Sequence, residues 1–275
     1  MIIDTHHHFW RYNPEEYGWI GDGMEKIRRN FLPEDLKKTI RQAGVNGVIS
    51  VQSRQKLEET DWLLSQAMEN DFIRGIVGWV PIADFNIKEI LEHYSRNTIL
   101  KGVRHVIQDE PDPEFMFRKD FNRGISSLSA FNLVYEILVF EHQLPQVIKF
   151  VDRHPHQIFV LNHIAKPRIK ENLISPWKEN LTKLALRNNV YCKISGLVTE
   201  ADPDQWDKQQ LLPYLEAVME SFGPQRLMFG SDWPVCLLAS EYKLWLDIVT
   251  AFIAFLSQEE QSLILGRNAV EVYHL

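Results

Sequence analysis

Eight short apolar runs alternate with amphipathic helical patterns along the whole chain. The runs cover residues 2–4, 47–52, 74–80, 99–104, 133–139, 158–162, 190–194 and 227–230. Their nearly continuous apolar character, bounded by polar, Gly or Pro positions, is typical of strands buried on both faces of a parallel sheet. The helical patterns cover residues 33–44, 57–70, 86–96, 115–131, 145–154, 176–188, 208–222 and 241–256, and the tail 258–273 is also helical in pattern.

This alternation predicts an α/β fold, a (β/α)8 TIM-like barrel in which residues 1–275 form one domain with an extra C-terminal helical segment. Barrels of about 250 residues often form a single unit, and the sequence shows no internal repeat, low-complexity tract or Pro/Ser linker. An open doubly wound sheet is the alternative. It would more often carry a Gly-rich phosphate turn after the first strand, where this chain has histidines.

Composition restricts the partners of the protein. The hydrophobic share is 45%, the charged share is 24% and the net charge is −7, with no basic block. Binding to nucleic acid or to an anionic membrane needs clustered Lys and Arg, so neither is an expected partner. No apolar stretch approaches the roughly 20 residues of a spanning helix, and the first residues lack a basic start and an apolar signal core. Two cysteines, Cys192 and Cys236, suit a reducing compartment, and we expect the cytoplasm. The sequence is compatible with a homo-oligomer as well as with a monomer.

Polar residues collect where the predicted strands end, which is where barrel enzymes build their active sites. Side chains alternate along a strand, so His6 and His8 project to one side and His7 to the other. If the first and last strands are neighbours in a closed barrel, Asp232 stands beside this histidine pair. The other polar or aromatic residues at predicted strand ends are Trp79, Arg104, His105, Glu141, His142, Gln143, Asn162, His163, Lys166, Lys193, Ser195 and Ser231.

Five ordered motifs carry a resemblance to a known family. They are Ile3-Asp-Thr-His-His-His-Phe-Trp10, Lys101-Gly-Val-Arg-His105, Asn162-His-Ile-Ala-Lys-Pro167, Cys192-Lys-Ile-Ser-Gly-Leu197 and Phe229-Gly-Ser-Asp-Trp-Pro234. In these motifs the chain resembles the amidohydrolase superfamily nearly from end to end. The closest branch is the group that contains sugar lactonases such as L-fuconolactonase and L-rhamnono-lactonase.

The resemblance implies a distorted (β/α)8 barrel that adds water to a carbonyl. It places the family's metal ligands on His6, His8, His163 and Asp232. The bridging lysine or glutamate that binuclear members carry on the fourth strand has no clear match, since that strand ends in Arg104-His105. One divalent ion, zinc first, or none is therefore expected, and some related lactonases work without metal.

The implied reaction is the opening of a sugar-acid lactone, such as L-fuconolactone or L-rhamnonolactone. An aldonolactone is a reactive ester, so a water activated by one carboxylate can suffice. We expect Asp232 to take a proton from the attacking water and to deliver it later to the departing ring hydroxyl, although an Asp after a strand is often only a helix cap. His6 and His8 would bind the ion or stabilise the developing oxyanion, and His163 would complete the metal site or polarise the carbonyl.

Further residues are candidates for binding the sugar. Arg104 offers a fixed fork of donors, with a pair to a structural acid as its competing role. His105 is as consistent with supporting Arg104 as with binding substrate, and Lys166 as consistent with a salt bridge to a loop acid. Gln143 is a candidate hydroxyl ligand. Aromatic faces pack against sugar C–H surfaces, but aromatic residues are also ordinary core filler. The aromatic candidates are Trp10, Trp79 and Trp233.

Three other functions stay open. The first is a metal-dependent decarboxylase of the same superfamily acting on an aromatic or unsaturated acid, which Arg54, Arg104 and Lys166 would favour. The second is a metal-dependent deoxyribonuclease, against which the acidic balance and the missing basic groove argue. The third is a non-catalytic binding protein, although the rim holds more acid–base groups than recognition requires. The long segment 10–31 either covers the pocket or packs without a role in it.

Overall fold

Eight parallel strands form one sheet in the order β1 to β8 in a computed structural model that describes all 275 residues. Each strand pairs in parallel with the next one along the chain. The strands are β1 Ile3–His7, β2 Gly47–Val51, β3 Ile73–Gly78, β4 Leu100–Val106, β5 Val134–Leu138, β6 Phe159–Leu161, β7 Val190–Ile194 and β8 Leu227–Phe229. With the helices between them, they form the predicted (β/α)8 barrel, which is therefore confirmed.

The barrel closes where the segment after β8 meets the end of β1. The backbone N–H of Asp232 donates to the carbonyl of His6 over 2.7 Å, and the N–H of His8 donates to the carbonyl of Trp233 over 2.7 Å. This closure brings the first and last strands together, as the sequence predicts.

The helices follow the predicted order. They are α1 Pro33–Ala43, α2 Leu57–Glu69, α3 Ile87–Ser95, α4 Lys119–Leu128, α5 Leu144–Asp152, α6 Trp177–Ala185, α7 Leu197–Glu200, α8 Lys208–Phe222, α9 Tyr242–Phe252, α10 Gln258–Ser262 and α11 Asn268–Tyr273. Helix α1 begins at a proline and ends before Gly44, whose φ of 75° suits the left-handed position after a helix. No helix combines the length and the apolar character that crossing a membrane requires.

The observed bounds differ from the predicted ones in two instructive places. Strand β1 covers Ile3–His7 and is not confined to residues 2–4, because its polar residues are all buried and the strand pairs with β2 as far as His7. The pattern over 115–131 is broken into a short 3₁₀ turn, Phe115–Phe117, then α4 and a second 3₁₀ turn, Ser129–Phe131.

Two apolar clusters hold the fold together. The larger one lies between the strands and the surrounding helices, and the smaller one fills the barrel interior with strand residues such as Val51 and Val160. Ala269, Val272 and Tyr273 of α11 belong to the interior cluster. The predicted C-terminal helical segment therefore plugs the amino-terminal end of the barrel and leaves the carboxyl-terminal end open.

Candidate active site

A cavity of about 550 Å³ lies at the carboxyl-terminal end of the barrel. Only four of its nineteen lining residues are hydrophobic, so it suits a polar ligand. The floor is formed by His8, Arg104, His163 and Asp232, and the walls include Glu16, Trp19, Arg54, Gln55, Lys56, Val106, Gln108, Glu110, Leu138, Lys166 and Val235.

Three imidazoles surround one carboxylate at the floor of the cavity. Oδ1 of Asp232 lies 3.7 Å from Nε2 of His6, 3.5 Å from Nε2 of His8 and 3.9 Å from Nε2 of His163. All four residues are at most 5% exposed. His7 points elsewhere, with its Nε2 2.8 Å from Oγ of Ser50. Asp232 therefore lies beside His6 and His8, as the sequence interpretation requires.

Asp4 positions the two chain segments that carry the centre. Its Oδ1 accepts hydrogen bonds from the backbone N–H groups of His6 and Ser231, at 3.1 and 2.8 Å, and its Oδ2 accepts one from the hydroxyl of Tyr242 at 3.0 Å. Burial raises the pKa of this carboxyl, and the hydrogen bonds counter that rise. A Cβ at Gly230 would lie 2.8 Å from Cβ of His6, so the close approach of the two strands requires glycine there.

His163 is held by an unusual backbone segment. Residues 163 to 166, His-Ile-Ala-Lys, all have positive φ, between 48° and 62°. Left-handed backbone costs on the order of 1–2 kcal/mol for each non-glycine residue, and the surrounding structure must offset it. Ile164 and Ala165 are fully buried, and the indole of Trp177 donates to the Ile164 carbonyl over 2.7 Å. The turn directs the ring of His163 at the Asp232 carboxylate, and its last residue, Lys166, lines the same cavity.

The surroundings lower the pKa of the Asp232 carboxyl and the pKa values of His6 and His163. Burial alone would raise the pKa of Asp232, but the neighbouring rings of His163 and His8 and the ammonium of Lys166 outweigh it, so the pKa is lowered. Burial lowers the pKa of His163 to about 3. It also holds the pKa of His6 well below the usual value, with the positive groups around the ring adding to the effect. An ionised carboxylate at neutral pH can serve as a general base.

The donor set fits a divalent cation. His6, His8 and Asp232 present ligand atoms within 4.8 Å of one another. Nδ1 of His8 lies 2.8 Å from the carbonyl oxygen of Val51, which can only accept, so Nδ1 carries the proton. The lone pair of Nε2 then faces the Asp232 carboxylate, and a cation is the natural bridge between two such acceptors.

A fully buried polar network lies beneath the centre. Glu136 of β5 accepts from Nζ of Lys193 at 2.5 Å, from the hydroxyl of Tyr273 at 2.5 Å and from Nδ2 of Asn162 at 2.8 Å. Arg104 joins it, because its Nη1 lies 3.2 Å from Oδ1 of Asn162 and 3.4 Å from Nε2 of His6. Its Nη2 donates to the Gln52 carbonyl. The network therefore connects the plug helix α11 to the floor of the cavity.

The predicted binding residues fall into two groups. Arg104 and Lys166 line the cavity, and Nζ of Lys166 also lies 4.0 Å from Glu200. The residues outside the lining are Trp10, Trp79, His105, Gln143 and Trp233.

Each residue outside the lining has a partner in the scaffold. The indole of Trp10 donates to the Arg29 carbonyl over 2.8 Å, and Trp233 packs edge-on against Phe31, with ring centroids 5.1 Å apart. His105 lies 2.5 Å from Glu110 and also accepts from the indole of Trp79, at 3.3 Å. Oε1 of Gln143 accepts from the backbone N–H of Phe140 over 2.9 Å.

Several cavity residues are absent from the sequence prediction. Glu16, Gly18 and Trp19 belong to the long segment 10–31, which therefore forms a wall of the cavity. Glu16 pairs with Arg54 and lies 3.0 Å from Nζ of Lys56. The length and aromatic content of the segment were the only signals available in the sequence. Arg54, named only for the decarboxylase alternative, lines the cavity in the loop after β2.

The barrel and its histidine–aspartate centre together are typical of a (β/α)8-barrel enzyme with a polar site at the carboxyl rim. The family model described as amidohydrolase matches residues 3–275, and the chain belongs to that family. Both levels of the resemblance inferred from the five motifs, the family and its sugar-lactonase branch, are confirmed.

Two relatives and one solved structure cover the chain almost completely. The L-fucono-1,5-lactonase of Burkholderia multivorans is 40% identical over 100% of this chain and 96% of the relative. The L-fucono-1,5-lactonase of Burkholderia ambifaria is 32% identical over 99% of this chain and 95% of the relative. A crystal structure of an amidohydrolase from Burkholderia multivorans with bound zinc superposes with a TM-score of 0.97, at 40% identity, over 100% of this chain and 99% of that chain.

Proposed function

We propose that the protein hydrolyses the lactone of a sugar acid, with L-fucono-1,5-lactone as the model substrate. The observation that carries this proposal is the buried Asp232 carboxylate, held among three imidazoles at the floor of a mainly polar cavity. The cavity volume of about 550 Å³ accommodates a monosaccharide. The full-length similarity to two L-fucono-1,5-lactonases supports the same substrate class.

In the proposed mechanism Asp232 acts first as a base and then as an acid. Its carboxylate takes a proton from a water molecule whose oxygen forms a bond to the lactone carbonyl carbon. The tetrahedral intermediate then collapses, the ring C–O bond breaks, and Asp232 returns the proton to the departing ring oxygen. The products are the open-chain hydroxy acid and the regenerated carboxylate. General acid–base catalysis of this kind contributes about 10²- to 10⁴-fold.

The developing oxyanion needs donors at the same floor. Arg104 is buried and remains a cation even though burial lowers its pKa. We propose that its guanidinium and the ring of His163 stabilise the oxyanion. Lys166 would bind a sugar hydroxyl from the wall. For the residues outside the lining, we propose that Trp10, Trp79, His105, Gln143 and Trp233 shape the loops around the cavity.

For the cofactor we propose a single divalent ion, zinc first. His6, His8 and Asp232 would hold it, and His163 is the fourth candidate ligand. When bound, it supplies Lewis acidity to the carbonyl oxygen. The residues that would hold the ion would also orient the attacking water, and Asp232 itself would accept the proton from that water.

The direct test is a panel of aldonolactones assayed by acid release with a pH indicator, with and without chelator. We expect turnover of L-fucono-1,5-lactone or a close stereoisomer above the spontaneous rate. Aromatic carboxylic acids serve as the matched negative substrates. Decarboxylation of such an acid, with no lactone turned over, would replace this proposal with the decarboxylase alternative. Metal analysis of the untreated protein addresses the ion separately.

A further inference from the structure

Three carboxylates on the wall of the cavity differ in how they are held. Both oxygens of Glu16 are taken, because each pairs with a cation of the loop after β2. Asp109 is exposed and pairs with no cation. Glu110 has its Oε1 fixed 2.5 Å from Nε2 of His105, while its Oε2 accepts no hydrogen bond from the protein. Among the three, Glu110 therefore combines a fixed position with a free acceptor.

The hydrogen bond between His105 and Glu110 has a defined direction. Nδ1 of His105 lies 3.3 Å from the indole nitrogen of Trp79, and an indole N–H can only donate. Nδ1 is therefore the acceptor, and the proton of the neutral ring lies on Nε2, where it faces the carboxylate of Glu110. One tautomer thus satisfies both contacts of the ring, and His105 donates to Glu110.

The surroundings hold this pair in place and leave the second oxygen of Glu110 without a donor. The ring of His105 stacks on that of Phe115, with centroids 4.9 Å apart and planes 11° from parallel. Arg118, in the same loop after β4, donates to both oxygens of Asp120 and makes no hydrogen bond to Glu110. A donor that enters the cavity can therefore bind Oε2 of Glu110 without displacing a protein group.

We propose that Glu110 is a specificity-determining residue whose free oxygen accepts hydrogen bonds from hydroxyl groups of the lactone, and that His105 is the positioning residue that holds it. Hydrogen bonds from hydroxyl groups to a carboxylate are roughly twice as strong as those between neutral groups. Glu110 lines the same cavity as Asp232, so one bound sugar lactone can contact both. The inference rests on the proposed lactonase function and narrows its substrates to lactones that carry free hydroxyl groups.

The test measures binding without turnover. The probe is the 1,5-lactam of L-fuconic acid, which keeps the ring hydroxyl groups and resists hydrolysis, and titration calorimetry gives its Kd. We expect Glu110→Gln to raise this Kd about tenfold, because the neutral amide loses the charge-assisted hydrogen bonds. Glu114→Gln, exposed in the same loop and outside the cavity lining, is the matched control and should leave the Kd unchanged. An unchanged Kd in Glu110→Gln, or no binding of the lactam to the wild-type protein, would overturn the inference.

A second pair of variants tests the positioning role of His105. His105→Leu removes the donor to Glu110 and should raise the same Kd by a similar factor, while His105→Gln keeps an N–H donor and should restore most of the affinity. When His105→Leu is combined with Glu110→Gln the losses should not add, since His105 acts through Glu110. Additive losses, or equal Kd values in the Leu and Gln variants, would contradict this role.

Failure of this inference and failure of the proposed function are distinguishable. If no lactone is hydrolysed by the wild-type protein, the lactonase proposal is wrong. If lactones are hydrolysed and Glu110→Gln binds the lactam as the wild-type protein does, only the role of Glu110 is wrong. Glu110 lies in a partly exposed loop, so its variant decides the question even if His105→Leu does not fold.

Discussion

Two carboxylates inside the barrel have opposite surroundings. Glu136 accepts three hydrogen bonds of 2.5 to 2.8 Å from Lys193, Tyr273 and Asn162, and no part of it is exposed. Asp232 has its nearest histidine nitrogens 3.5 to 3.9 Å away and borders the cavity. The first carboxylate is saturated by the protein, while the second has room for a water, a cation or a substrate atom.

The difference suits Glu136 to a structural role and Asp232 to the reacting role that we propose for it. A carboxylate with all its acceptor sites filled fixes the side chains around it, and exchanging its partners would cost several hydrogen bonds. A carboxylate whose neighbours stand too far away for hydrogen bonds can bind a new partner without losing an old one. Activity and stability should therefore depend on these two residues in opposite ways.

The largest expected effect is on turnover in Asp232→Asn. An amide cannot take the proton from water, so kcat/KM for the lactone should fall by about 10³-fold or more, within the range of lost acid–base catalysis. The measurement is steady-state hydrolysis alongside a thermal unfolding curve that shows the variant folded. Asp152→Asn, on the outer helix α5 in a surface pair with Arg187, is the control and should retain full activity. Unchanged hydrolysis by Asp232→Asn would remove this residue from the mechanism.

The second effect is on stability in Glu136→Gln. The change leaves the fully buried Lys193 without its charge partner, and breaking a buried pair costs about 3–5 kcal/mol. Urea unfolding at pH 7.5 should show that loss in the free energy of unfolding. Asp232→Asn should change the same quantity by less than about 1 kcal/mol, because its carboxylate makes no hydrogen bond to lose. Equal losses in the two variants would show that the two carboxylates contribute equally to stability, contrary to this prediction.

The outer features of this arrangement could be predicted from the sequence. Eight apolar runs and their spacing determine the barrel, and the period of two along a strand places His6 and His8 on one side. Closure of the barrel then brings Asp232 to them. These steps need only periodicity and the rule that neighbouring strands share a rim.

The inner network could not be predicted in the same way. Lys193 lies next to the end of an apolar run and resembles a rim residue, yet it lies inside the barrel because Tyr273, 80 positions away, and Glu136 supply its surroundings. Glu136 lies in the middle of an apolar run, where no local signal distinguishes a structural acid. The left-handed turn at 163–166 also has no glycine to indicate it.

The third prediction concerns the pH dependence of the free energy of unfolding, which the buried histidines should cause. The pKa of His163 is lowered to about 3, and those of His6 and His7 are well below 6.5, so these rings are neutral in the folded metal-free protein. The unfolded chain takes up protons below about pH 6.5, and folding excludes them. The contribution of these neutral histidines to the free energy of unfolding should therefore be complete above pH 6.5. It should fall as the pH drops toward 4, by up to about 1.4 kcal/mol per pH unit for each histidine.

This pH effect has a counterpart and a control. Asp4, whose pKa burial raises, acts in the opposite direction at the acid end, because the folded protein holds its proton more readily. Urea unfolding between pH 7.5 and 5, with chelator present, gives the slope. His163→Asn should reduce that slope by roughly the share of one histidine, about 1.4 kcal/mol per pH unit at most. A stability that is constant over this range would show that the rings are not held neutral.

The smallest expected effect is at the wall of the cavity that Asp232 borders. Trp19 is 39% exposed and lines the cavity from the long segment 10–31, with its ring 5.6 Å from that of Trp10. Pairs of aromatic rings contribute about 0.5–1.5 kcal/mol beyond the area they bury, and we expect a similar contribution from an aromatic face against sugar C–H groups. Trp19→Ala should therefore raise KM for the lactone by about two- to tenfold and leave kcat nearly unchanged, since the proposed reaction takes place at Asp232. Phe85→Ala, an exposed aromatic in the loop before α3 that does not line the cavity, is the matched control and should change neither constant. A loss confined to kcat would instead place Trp19 among the residues that act on the transition state.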